Sequence, residues 1–152
     1  MRHRSRPLAA LSLAAAAAGM LVGASVPGTA SVTATVTGLR NEKGVVRACL
    51  TDDPGDFPKC GKDGTSHRIV ARAAGTLTIE FENIAPGRHA IALVHDENDN
   101  GRIDRALMMI PREGFGFSRD AKVVMGPPSF AAAAFETDGR PVSMAIRMRY
   151  ML

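Results

Sequence analysis

Apolar and polar residues alternate along most of the chain with the period of β-strands. Val32, Ala34 and Val36 alternate with Thr33, Thr35 and Thr37, and Gly38 closes the run, which predicts a half-buried strand. Residues 41–44 then read as a hairpin turn and residues 45–50 as the return strand. Residues 69–73 and 76–81 flank Ala74-Gly75 and read as a second hairpin, with Leu77, Ile79 and Phe81 on one face. After Pro86-Gly87, residues 88–95 place Ile91 and Leu93 on one face and Ala90, Ala92 and Val94 on the other. A strand apolar on both faces belongs in the middle of a sheet. The clearest alternation comes last, with Val142, Met144, Ile146, Met148 and Tyr150 set against Ser143, Ala145, Arg147 and Arg149.

Between these strands the pattern loosens. Residues 96–104 are polar, and residues 112–120, with Gly114-Phe115-Gly116-Phe117, read as a structured loop. Residues 121–125 are a candidate strand stopped by Gly126-Pro127-Pro128, and Ser129 is placed to cap a single helical turn. About seven short strands without an amphipathic helix predict an all-β fold, an antiparallel two-sheet sandwich.

The first 30 residues stand apart. Arg2, His3, Arg4 and Arg6 precede an apolar run of residues 8–22, and small residues follow. This is the order of a secretory signal peptide. The apolar run is shorter than the roughly 20 residues of a spanning helix. Cleavage is expected after Ala30, with Ala24 as the second choice, leaving residues 31–152 as one domain with no membrane span. No cysteine precedes Cys49 to carry a lipid, and no adjacent arginines mark a twin-arginine route, so a Sec-type signal and a periplasmic or extracellular location are expected.

That leader changes how the charge is read. The formal charge is +4, but Arg2, Arg4 and Arg6 lie in the leader, which has none of the 15 acidic residues. The remainder is nearly neutral, which argues against a nucleic-acid partner. Export also gives the two cysteines a meaning: Cys49 and Cys60 flank a turn-rich segment, lack CxxC spacing, and are expected to form a disulfide. The chain has no Trp and one Tyr, too few aromatic faces for a sugar platform. A protein, peptide or small-molecule partner stays open.

Two segments hold candidate chemistry. Counted from Asp96, the run Asp96-Glu97-Asn98-Asp99-Asn100-Gly101-Arg102-Ile103-Asp104 offers oxygen side chains at positions 1, 3, 5 and 9 and glycine at position 6. Calcium loops use that arrangement, because a hard cation needs several oxygens from one short turn. The candidate ligands are Asp96, Asn98, Asn100, the Arg102 carbonyl and Asp104. Position 12 is Leu107, so the usual bidentate carboxylate is missing and a distant acid such as Glu113 or water would have to complete the set. An Asx-rich turn bonded to its own backbone is the alternative. His89 and His95 share a strand face but stand about 20 Å apart at roughly 3.3 Å per residue, too far for one ion. His67 is in another segment, and Ser129 lacks a nucleophile-elbow context. No catalytic residue is assigned, and the alternative function is a hydrolase using His95, Asp96 and Glu113 at a loop-lined cleft.

Three separated segments, residues 94–104, residues 110–118 and Gly126-Pro127-Pro128-Ser129-Phe130, together resemble the exported bacterial family called domain of unknown function 2141. The resemblance covers roughly residues 32–150. It implies an immunoglobulin-like or transthyretin-like sandwich of the periplasm or cell exterior, and brings no activity, substrate or catalytic residue. His89 stands where an aromatic residue is usual, and Ala131 to Ala134 stand where acids often follow the phenylalanine. The Cys49–Cys60 pair is a variation within the family. The function expected is therefore a non-enzymatic binding or envelope-structural module, with calcium as its candidate cofactor.

Overall fold

The computed structural model describes residues 28–61, 66–105 and 111–152. The leader through Pro27 and the Leu107 position lie outside the described residues. Eight strands are present among the described residues: β1 (Ala30–Thr37), β2 (Val45–Thr51), β3 (His67–Arg72), β4 (Leu77–Ile84), β5 (Gly87–Asp96), β6 (Gly114–Phe117), β7 (Phe135–Thr137) and β8 (Val142–Arg147). They form a three-stranded sheet in the order β4-β1-β8 and a five-stranded sheet in the order β3-β2-β5-β6, with β7 on the first residues of β5.

The alternation sets which side chains meet between the sheets. Val32, Ala34 and Val36 of β1, Ile79 and Phe81 of β4 and Ile146 of β8 face Val46, Ala48 and Leu50 of β2 and Ile91 and Leu93 of β5. Strand β5 is central, as its two apolar faces require. Its even positions, Ala90 and Ala92, turn outward onto a second cluster with Cys49, Cys60, Phe117 and Ala133. The Cys49–Cys60 disulfide, with its Cα atoms 5.7 Å apart, clasps the connecting loop over that outer face. Phe57 of this loop packs 5.9 Å from Phe117 and 6.0 Å from Phe130 between ring centroids. Phe130 opens the single helical turn α1 (Phe130–Ala133), and Ser129 caps it by accepting the Ala132 N–H at 3.3 Å.

Several expectations need correction. The turns at 41–44 and 74–75 are not hairpins, because β1 and β4 belong to one sheet and β2 and β3 to the other. Alternation says which face of a strand is buried and leaves its neighbour undetermined. Pairing between β1 and β8 is parallel, from Val32↔Val142 to Thr37↔Arg147, while the other strand pairs are antiparallel. Residues 121–125 form no strand. The 114–117 segment is a strand rather than a loop, and its glycines are there for closeness. A Cβ on Gly114 would stand 2.4 Å from the Tyr150 ring, and one on Gly116 would stand 2.9 Å from Ile146. At its other end, β1 begins with the buried Ala30, paired with Ile84.

Candidate functional site

The last residues of β5 carry neighbouring polar side chains to opposite faces of the sheet. His95, at an odd position, turns inward beside Tyr150, and Asp96 turns outward beside Arg47. His95 is fully buried, and both ring nitrogens are engaged. The Lys43 carbonyl can only accept, so Nε2–H donates to it at 2.8 Å. In a neutral ring that leaves Nδ1 as the acceptor from the Tyr150 hydroxyl at 2.7 Å, while the Tyr150 oxygen accepts the Arg40 backbone N–H at 3.2 Å. Arg40 also lies over the Tyr150 ring, 4.6 Å from its centroid, and donates to Glu97 at 2.5 and 3.1 Å. Burial raises the Tyr150 hydroxyl above its ordinary value.

On the outer face Asp96 organises the loop that follows it. Its Oδ2 accepts from Arg47 Nε at 2.7 Å and from the Gly101 N–H at 2.8 Å, and its Oδ1 accepts from the Asn100 N–H at 3.1 Å. Burial alone would raise the carboxyl, but the Arg47 bond and the two amides outweigh it and hold Asp96 below the usual carboxylate range. A second Arg47 nitrogen reaches Asp99 at 2.6 Å.

The remaining loop side chains converge on Asp104. Asn98 donates to it at 2.7 Å, and Asn100 donates to both of its oxygens at 3.1 and 3.2 Å. Asn98 Oδ1 in turn accepts the Asn100 N–H, and Asn100 Oδ1 accepts the Arg102 N–H at 2.8 Å. These are the Asx bonds of the alternative reading, and they also gather positions 3, 5 and 9. Arg102 itself is exposed.

Glu113 joins from outside the run. The Arg112 N–H donates to the Asp104 carbonyl at 3.0 Å, and Arg105 bridges to Pro111, so the chain folds back beside the loop. Glu113 is buried, and its Oε2 accepts the Asp104 N–H at 3.3 Å. No donor among the described residues reaches its Oε1. Burial, followed by the charge of Asp96 and then of Asp104 and Glu97, pushes the Glu113 carboxyl up to about 7.

These positions answer the expectations one by one. Asp96, Asn98, Asn100 and Asp104 do belong to one loop and are tied to one another. Among the described residues, no group of three or more His, Cys, Asp or Glu side chains is gathered tightly enough to hold a metal ion. His95, Asp96 and Glu113 do not share a cleft, because His95 faces the sandwich interior while Asp96 lies outside it. His89 is elsewhere, with Nε2 2.9 Å from the Ala85 carbonyl. Ser129 is a helix cap. The reading of the sequence missed Arg47, Arg40 and Tyr150. The one available signal was Arg47 as a lone charge in an apolar strand.

The fold and this polar end define a two-sheet β-sandwich module stapled by a disulfide. Residues 34–145 match the family described as "Uncharacterized protein conserved in bacteria (DUF2141)", and the chain belongs to that family. Comparison with curated proteins and with solved structures returned no match. No helix among the described residues is long and apolar enough to cross a membrane.

Proposed function

We propose that this protein is a non-enzymatic, exported β-sandwich module that works by binding, or by structural contact, in the bacterial envelope. The observation that carries this reading is the hydrogen-bonded chain from Arg40 through Tyr150 and His95 to Lys43. It uses both nitrogens of the buried imidazole and turns them away from Asp96. A general base must reach a substrate proton within hydrogen-bond distance, and His95 faces the packed interior. Export is supported by the basic-then-apolar leader and by the closed disulfide, which suits an oxidising compartment.

A panel of chromogenic esters, phosphoesters and glycosides tests the proposal. The protein purified from the periplasm is expected to turn over none of them above the buffer rate. Turnover that disappears in His95→Gln would establish the hydrolase instead.

A further inference from the structure

Most of the acidic groups at this end of the sandwich already have a cation. Arg47 serves Asp96 and Asp99, and Arg40 serves Glu97. Asp104 and Glu113 have no ion-pair partner among the described residues, although one backbone amide links them. Asp104 is held by the side-chain amides of Asn98 and Asn100. Glu113 is 5% exposed, accepts the Asp104 N–H through Oε2, and keeps its other oxygen without a donor among the described residues. A buried carboxylate oxygen with no partner is costly, and it marks a place where a positive group is wanted.

We propose that the 96–104 loop binds calcium, with Glu113 supplying the carboxylate that the loop's own twelfth position, Leu107, lacks. The chain reaches this arrangement by folding back through the Arg105–Pro111 bridge, which sets Glu113 beside Asp104. The oxygen set is the carboxylates of Asp104 and Glu113 with the amide oxygens of Asn98 and Asn100, once those amides turn from the Asp104 carboxylate, while Asp96 stays bonded to Arg47 and to the Asn100 and Gly101 N–H groups. Backbone carbonyls and water supply the rest of the six to eight oxygens calcium takes. The set contains only oxygen, which excludes the nitrogen and sulfur ligation zinc prefers. It is also drawn from a turn and from Glu113, just before β6, which suits the adaptable coordination of calcium better than the tight octahedron of magnesium.

Calorimetric titration of the chelator-treated protein with calcium chloride, together with thermal unfolding in calcium and in chelator, tests the site. A dissociation constant of about 0.1–1 mM is expected, in the range of extracellular calcium modules, and a melting point raised by about 2–4 °C at 1 mM calcium. Magnesium should give a smaller rise. Glu113→Gln and Asp104→Asn should each weaken calcium binding at least about tenfold and remove the rise. Asp138→Asn, which alters an exposed pair with Arg140, should leave the response intact. Identical melting of the wild type in calcium and chelator would overturn the proposal, as would an undiminished calcium response in Glu113→Gln. If Glu113→Gln does not fold, an undiminished response in Asp104→Asn has the same force.

Discussion

Gly44→Ala is expected to destabilise the protein by about 3 kcal/mol or more, the size that backbone strain and a forced shift produce together. Gly44 has φ +66°, a left-handed conformation that alanine adopts at a cost of about 1 kcal/mol. The larger part comes from space. The added Cβ would lie 2.0 Å from the Asp96 carbonyl oxygen and 2.7 Å from the Glu97 carbonyl carbon, both backbone atoms that cannot swing aside. Relief would pull the end of β5 from β2, where Val45 pairs with Asp96, and would disturb the Arg47–Asp96 bond. Urea unfolding followed by far-ultraviolet circular dichroism measures this without a tryptophan probe. Gly75→Ala serves as the comparison, since its Cβ meets only Glu42 Oε1 at 3.3 Å and should cost under about 1 kcal/mol.

Glu113→Gln is expected to act in the opposite direction. In chelator at pH 8 it should stabilise the protein by up to about 3 kcal/mol, the linkage value of a carboxyl whose folded pKa lies near 7 against an ordinary 4.5. The sign follows from the raised value. Below about pH 4.5 the acid is protonated in both the folded and unfolded chains, and the wild type bears no penalty. As pH rises from there through about 7, the unfolded chain ionises first and wild-type stability falls relative to the variant. Above that the difference is constant. Asp96 and Glu97 have lowered values and push total stability the other way, rising as the solution leaves acid. The comparison of wild type with Glu113→Gln cancels them. Unfolding free energies at pH 4, 6 and 8 in chelator provide the check, and a pH-independent difference would show that Glu113 ionises freely in the fold.

The sequence carried the strands more clearly than their partners. Val32, Ala34 and Val36 face the core as their alternation demands, and Ile91 and Leu93 with Ala90 and Ala92 mark β5 as central. Which strand lies beside which was hidden, because a buried face is satisfied equally by a strand in the same sheet or in the sheet opposite. Strand β6 was hidden for a different reason. Its inward positions are Gly114 and Gly116, which have no side chain to alternate, and the room they leave is filled by Tyr150 and Ile146.

At the site, the spacing of Asp96, Asn98, Asn100 and Asp104 made the loop legible, and the missing twelfth ligand directed attention to distant acids such as Glu113. The partners that decide what His95 and Asp96 do were not legible. Arg47 lies 49 positions from Asp96, and Tyr150 lies 55 from His95. Such pairs are fixed only when β2 pairs with β5 and the segment after β8 crosses to β6 through the Phe115–Arg149 bridge.

The residues suggestive of catalysis are engaged in holding this end of the sandwich together, and the strength of the Arg47–Asp96 pair measures how firmly. The measurement is a double-mutant cycle of Arg47→Met and Asp96→Asn, read as unfolding free energy in urea at pH 7 and moderate salt. Because Asp96 is buried while the Arg47 side chain is 36% exposed, a coupling of about 1–2 kcal/mol is expected, reduced from that of a fully buried pair by solvent screening. A coupling within about 0.3 kcal/mol of zero would mean instead that Asp96 is free of Arg47 and available for chemistry.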